Sequence, residues 1–346
     1  IDLIDGDVIV VSSKIASKAL GLTADTGERD LVIAAQSEWV VAERRVPRHD
    51  GPDRMTRVVK SSAGPVMAAA GVDASNTGGR DRLLLLPHDP DDVCRSLHAR
   101  LVRAHALRRL GVVLSDTAGR AWRVGQTDFA LGAHGFLVAD DLRGGVDADG
   151  RPLEVTTRAV ADEVASAADL VKGKTAAVPV AHLRGLADHV VAAPEGAGGA
   201  APGQAGASTT PVPGAASLVR TGRGDWFGLG RAEAVRAALG VRAGSELAAR
   251  VGIPAVVEES VAVRAARAVG VAIHALDDVG VDLGPRAAGD TTGAQQLVVS
   301  AVDPVDVGIA TARFLVAAWG EWLDSTIVDR SALSVTLDVT DREGST

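Results

Sequence analysis

Val112-Val113-Leu114-Ser115-Asp116-Thr117-Ala118-Gly119-Arg120 is the stretch on which the reading of this chain turns. An apolar run stops at a carboxylate, a hydroxyl and a glycine. That pattern predicts a buried strand over 111 to 115 that empties into a polar loop. Strand ends collect chemistry, because the sheet fixes the side chains while the loop leaves them reachable. An acid beside a hydroxyl also suits a hard divalent cation such as magnesium or manganese, which prefers oxygen ligands. The plainer alternative is an Asp that caps a turn.

Working outward, the preceding residues read as a helix over 90 to 109. Asp89 caps it, Pro90 fits its first turn, and Val93, Leu97, Leu101 and Ala104 recur at helical spacing. Before it, Pro65-Val66-Met67-Ala68-Ala69-Ala70 reads as a strand that ends in Gly71-Val72-Asp73-Ala74-Ser75-Asn76. A further strand is expected over 56 to 60. Strand 65 to 70, helix 90 to 109 and strand 111 to 115 then make a parallel strand–helix–strand unit, with Asp73 and Asp116 on one sheet edge. Val8-Ile9-Val10-Val11 is another short strand, running into Ser12-Ser13-Lys14. Helical character is expected over 31 to 42. A helix over 156 to 171 takes Thr156 or Thr157 as its cap and lines one face with Val160, Val164, Ala167 and Val171. Lys172-Gly173 closes it, and Val178-Pro179-Val180-Ala181 reads as an edge strand.

The fold class expected is therefore α/β (mixed α+β). Residues 1–193 form the main domain. Residues 194–217, rich in Gly, Ala, Pro and Ser, form a flexible loop or linker, and 218–230 close the main domain. Residues 231–346 form a small α+β C-terminal extension, with helices at 231 to 239, 258 to 274 and 304 to 323 and strands at 297 to 301 and 333 to 339. No internal repeat stands out.

With 346 residues, 47% of them hydrophobic, the chain has material for a large core. Only 3% are aromatic and none is Tyr, so Ala, Val and Leu must build it. The net charge of −8 argues against a general nucleic-acid binder. Cys94 is the only cysteine, which excludes an internal disulfide or a thiolate zinc cluster. The histidines lack metal-ligand spacing, and His134 is read as structural. No apolar stretch reaches a membrane span and no signal peptide is evident, so cytoplasm is the default location.

Three further segments carry polar chemistry. Ser12-Ser13-Lys14-Ile15-Ala16-Ser17-Lys18 offers hydroxyls and ammonium groups suited to a nucleotide phosphate, without a Walker loop; a solvated turn is the alternative. Asp73 and Asn76 offer a cation ligand and an amide, or else an ordinary Asx-rich turn. Arg120 and Arg123, followed by Gln126 and Asp128, suit substrates rich in carboxylate and phosphate, or form surface salt bridges.

In this order, these blocks resemble the coenzyme F-420:L-glutamate ligase family, the F-420-0:gamma-glutamyl ligases. The blocks are Asp5 to Lys18, Ala70 to Asn76, Leu84 to Asp91, Ser115 to Asp128, and Ala159 to Glu163 with Val171 to Lys174. The resemblance implies an enzyme that uses GTP and magnesium or manganese to join L-glutamate, through its amine, to the terminal carboxylate of coenzyme F-420-0, with release of GDP and phosphate. It also implies a homodimer. Carried over by position, Asp73, Asp116 and Thr117 match the cation ligands, with Asp116 and Lys18 as catalytic residues. Ser12, Ser13, Lys18 and Asn76 match the GTP contacts, and Lys172, Gly173 and Lys174 fall where the family approaches the nucleotide. Arg120 and Arg123 as substrate ligands are a hypothesis independent of the resemblance. The family's segment before the first strand is not matched here. The extension beyond 231 shows no arginine-rich flavin-phosphate motif, so no flavin is assigned to it. A bifunctional ligase and flavin-dependent reductase is the alternative enzyme; a non-catalytic nucleotide- or deazaflavin-binding protein is the other alternative.

Overall fold

The computed structural model describes residues 2–191, 212–221, 225, 227–287 and 292–342. Most of the expected linker, 194–211, lies outside the described residues. The chain divides into two units, Ile1–Glu38 with Val59–Gly224 and Trp39–Val58 with Asp225–Thr346. The second unit therefore begins before 231 and takes in a segment from early in the chain. Mixed helices and sheets give the α/β class expected.

The first unit runs β1 (Asp7–Ser12), α1 (Ser13–Ala19), β2 (Thr23–Asp25), α2 (Arg29–Ala35), β3 (Ser37–Val46), β4 (Arg54–Ser61), β5 (Val66–Ala68), β6 (Arg82–Leu84), α3 (Pro90–His105), β7 (Leu110–Arg120), β8 (Arg123–His134), β9 (Asp140–Asp141), β10 (Thr157–Arg158), α4 (Val160–Lys172) and β11 (Val180–Leu183). Most of β3, from Trp39 on, and β4 as far as Val58 count with the second unit. The central sheet has the order β11-β1-β7-β8. Only β1 and β7 are parallel, and their register brings Ser12 opposite Ser115.

Both faces of this sheet are covered, which is why β1 and β7 are apolar without alternation. Val8, Val10 and Val113 pack with Val160, Ala161, Val164, Ala165 and Ala168 of α4. Ile9, Val11, Val112 and Leu114 face the other way, with Cys94, Val93, Leu97 and Leu101 of α3. Asp89 caps α3 as expected, its Oδ1 accepting the Asp92 amide at 2.8 Å. Gly132 of β8 cannot carry a side chain, because a Cβ would sit 2.4 Å from the Pro90 carbonyl oxygen.

Several expectations need correction. The parallel partner of β7 is β1; β5 lies in a separate sheet, β3-β4-β5. Asp73 thus does not share a sheet edge with Asp116. It arrives by another path, through the turn at Ala69–Gly71 and a bridge to Leu84. The strand carrying Asp116 and Thr117 does not end there. It continues to Arg120, because β8 pairs with it, Thr117 opposite Asp128 and Ala118 opposite Thr127. Residues 37–46 are strand rather than helix. Helix α4 starts at Val160 after an Ala159 N-cap, with Thr157 in β10. Its predicted face is half right: Val160 and Val164 are buried, whereas Val171 is exposed and Lys172 is buried in its stead. At the described end of the expected linker, the amides of Ala215 and Ala216 donate to Asp91, so this part is anchored.

The second unit contains α5 (Arg231–Ala238), α6 (Glu246–Val251), α7 (Val261–Ile273), β12 (Val279–Pro285), β13 (Gln295–Ala301), α8 (Pro304–Gly320), β14 (Leu323–Arg330) and β15 (Ser334–Asp341). Its sheet is antiparallel, in the order β12-β13-β15-β14. Helices α7 and α8 share one core with it, including Ala265, Ala268, Phe314, Leu297 and Leu337. Topologically this is a helix–strand–strand unit used twice, with β13 against β15 at the centre. The repeat is legible in the order of elements though not in the sequence.

Candidate functional site

Parallel pairing of β1 with β7 sets the site. β1 stops at Ser12 while β7 runs on through Ser115, Asp116 and Thr117, so α1 departs beside the extended half of β7. Ser13 is buried, and its hydroxyl donates to Asp116 Oδ1 at 2.9 Å. Lys14 Nζ lies 2.7 Å from Asp73 Oδ2. Burial raises the Asp73 carboxyl, but the Lys14 bond and the Ser75 amide outweigh this and hold it below its ordinary value. Burial pushes the Asp116 carboxyl up, and the Lys14 charge and the Ser13 hydroxyl only partly offset that. Lys14 thus stands electrostatically between two carboxylates that the sheet does not bring together. Lys18 Nζ donates to the Asn76 carbonyl at 2.6 Å, where Asn76 has φ +56°.

Asp128, which the sequence offers only as a follower of Arg120 and Arg123, is the hub. It is buried on β8 and accepts from Ser115 Oγ at 2.9 Å, from Thr117 Oγ1 at 2.5 Å and from Lys172 Nζ at 2.9 Å. Lys174 Nζ approaches it at 3.3 Å and Asp169 at 3.4 Å, and also donates to the Thr117 hydroxyl. Burial raises Asp128, but its hydrogen bonds from Thr117, Lys172 and Ser115, with the Lys172 charge, leave it lowered. Burial lowers the Lys174 ammonium, and Asp128 and Asp169 more than reverse that. Lys172 is only 2% exposed and spans Ser115 and Asp128, so it fastens α4 to the β7–β8 hairpin from inside. A signal for Asp128 was present: a lone carboxylate opens the apolar run Phe129-Ala130-Leu131.

A cavity of about 320 Å³ collects these groups. Ser12, Lys14, Lys18, Asn76, Asp116, Thr117, Asp128, Lys172, Gly173 and Lys174 all line it. Asp73 and Ser13 do not line it: each stands behind a lining residue, Asp73 bonded to Lys14 and Ser13 to Asp116. Arg120 instead lines a neighbouring cavity, and Arg123 lines neither, lying exposed at the hairpin end. His134 stands edge-on to His98, ring centroids 4.8 Å apart, in keeping with a structural role.

The donor set suits a hard cation in chemistry, since carboxylate and hydroxyl oxygens converge. Asp116 has no ion-pair partner among the described residues, and its raised carboxyl is the uncompensated group a cation would neutralise. No cluster of three His, Cys, Asp or Glu side chains is preassembled among the described residues; Lys14 pairs with Asp73, and Lys172 and Lys174 pair with Asp128.

Four ammonium groups, several hydroxyls and three carboxylates line one cavity at the end of a mixed sheet, a set whose charge and donors suit an anionic ligand. The family model described as F420-0:Gamma-glutamyl ligase matches residues 1–185. Coenzyme F420:L-glutamate ligase of Halobacterium salinarum is 40% identical over 191 residues, 50% of this chain and 72% of that protein. The protein of that name from Archaeoglobus fulgidus is 38% identical over 192 residues, 53% of this chain and 76% of its own length. The chain belongs to the F420-0:gamma-glutamyl ligase family, and as a member it is a ligase of coenzyme F-420 biosynthesis. No helix among the described residues is long and apolar enough to cross a membrane.

Proposed function

We propose that the protein is a GTP-dependent ligase that adds L-glutamate to coenzyme F-420-0 through an amide bond between the glutamate amine and the coenzyme's terminal carboxylate, releasing GDP and phosphate. The observation that carries this reading is the convergence of Lys14, Lys18, Lys172 and Lys174 with Asp116 and Thr117 on one cavity. Ser12, Ser13, Lys18 and Asn76 bind the nucleotide, with Lys174 and the Gly173 backbone closing over it. Lys172 acts on this site indirectly, by holding Asp128 and Ser115 in place. Asp73, Asp116 and Thr117 would hold magnesium or manganese, whose charge would offset repulsion between phosphates and the incoming carboxylate.

An amide forms only from an activated carboxylate. Transfer of the terminal phosphoryl group to the coenzyme's carboxylate gives an acyl phosphate and GDP. The amine of glutamate then attacks the carbonyl carbon, loses a proton, and phosphate leaves. Lys18 and Lys174 stabilise the charge that develops on the transferred group. The working form is a homodimer in the cytoplasm.

The test incubates the protein with GTP, manganese, L-glutamate and F-420-0 and follows mass. Addition of a glutamyl unit by the wild type, lost in Asp116→Ala, is expected. No mass change with GTP, and none with ATP in its place, overturns the proposal.

A further inference from the structure

Beside the lysine-lined cavity lies a second one, of about 520 Å³, bounded by Arg120, Thr127, Phe129, Asp162, Glu163 and Ser166. Asp128 belongs to the walls of both. A third cavity, of about 220 Å³, also has Phe129 and Asp162 in its wall and adds Arg220. Asp162 is thus common to two adjoining spaces, each with its own arginine.

The charges in these spaces are unevenly satisfied. Glu163 is already paired with Arg158 at 2.8 Å. Thr127 and Ser166 share a hydrogen bond of 2.9 Å. Asp162 receives the Ala130 amide at 2.9 Å on Oδ1, and pairs with no cation among the described residues. Burial raises its carboxyl, and that single amide offsets the rise only in part. Arg120 and Arg220 make no ion pair among the described residues. One uncompensated carboxylate between two uncommitted guanidinium groups has the charge pattern of an amino-dicarboxylic acid in reverse.

We infer that these adjoining cavities seat the incoming amino acid, with Asp162 receiving its ammonium group and Arg120 and Arg220 its two carboxylates. The inference rests on the ligase reading and adds the place and recognition chemistry of the second substrate. It also accounts for the shared wall at Asp128, since the amine must lie next to the cavity in which the carboxylate is activated.

The test is Asp162→Asn. Asparagine keeps an oxygen for the Ala130 amide, so the contact with β8 survives while the charge is lost. Initial rates at varied L-glutamate are expected to give a KM raised about tenfold or more, the range for losing a hydrogen bond to a charged partner, with the KM for GTP within about twofold. Arg120→Gln and Arg220→Gln, both at exposed positions, should each raise the glutamate KM several-fold and leave that for GTP unchanged. They carry the test if Asp162→Asn fails to fold. A glutamate KM within about twofold of wild type in the folded variants overturns the inference. If the wild type ligates nothing, the ligase reading fails instead, and calorimetric titration with L-glutamate alone then decides. Binding by the wild type that Asp162→Asn loses keeps the site; binding by neither protein overturns it.

Discussion

Each unit contains a buried network of charges, and the two differ in what they face. In the first, Asp128, Lys172, Ser115 and Thr117 line a cavity, and their outer members are open to it. In the second, Arg267 bonds Glu321 through Nε at 3.0 Å and reaches Glu259 at 2.7 Å, all three largely buried. None of those three lines any cavity described above. Buried ion pairs contribute little net stability, since desolvation offsets most of the attraction. Burial and pairing therefore do not separate a functional network from a structural one. Adjacency to a cavity, and a carboxylate left over as at Asp116, do.

The sharpest way to break this contrast is Arg267→Met. It removes the partner that Glu259 and Glu321 share, leaving Glu259 to Arg45 at 2.8 Å and Glu321 to Arg236 at 4.0 Å, and is expected to cost about 3–5 kcal/mol. Urea unfolding followed by the fluorescence of Trp39, Trp319 and Trp322 would measure it. A loss below about 1 kcal/mol would show that the second network bears no structural weight. On the other side, Asp116→Asn is expected to cut ligation about 100- to 1000-fold, the range for losing one electrostatic contact to a transition state. The same change should raise the thermal midpoint at neutral pH. The folded carboxyl is raised above its unfolded value of about 4, so the native state binds more protons between those two values. Its contribution to stability accordingly falls as pH rises through that window, and asparagine abolishes the fall. A lower midpoint for Asp116→Asn would contradict the assignment of Asp116 as an uncompensated charge.

Smaller effects sharpen the comparison. Gly71 has φ +76°, and a Cβ there would lie 2.3 Å from Leu86 Cδ1. Gly71→Ala should cost about 1–3 kcal/mol. It should also raise the KM for GTP by displacing Asp73 and Asn76, which steady-state kinetics can check. The smallest effect concerns Asp7, a buried carboxylate held well below the usual range by Arg184 against the opposing effect of burial, with help from the Ile4 amide and His182. A depressed carboxylate stabilises the fold fully above its unfolded value of about 4, and that stabilisation fades as pH falls toward the folded value. Arg184→Ala should therefore flatten the acid side of the stability profile: its cost is full at pH 7 and fades as pH falls below about 4, which urea unfolding across that range would show.

How much of this was legible in the sequence follows from the range of the forces involved. The α3 cap and the apolar strands β1 and β7 are local, and local pattern exposes them. Pairing partners are not local. Strand β5 looks as good a neighbour for β7 as β1 does, and only the tertiary arrangement selects β1. The extension of β7 past Asp116 depends in the same way on β8 across the hairpin. Lys172 reads as a C-terminal cation on a helix, where solvent is its ordinary surroundings; the carboxylate that draws it inward lies on another element. Asp128 is hidden for the same reason, since its partners come from two other segments, β7 and the end of α4.

One feature has a bearing on how the protein behaves at high concentration. Strand β8 is the outer margin of the central sheet, where a free backbone would invite a foreign strand to add on. Its Ala130 and Ala133 amides are instead taken by Asp162 and Asp91, and its Asp128 carbonyl by Ser166. Runaway strand addition leading to fibrils is thereby discouraged on this side, and copies that meet here must recognise one another through side chains.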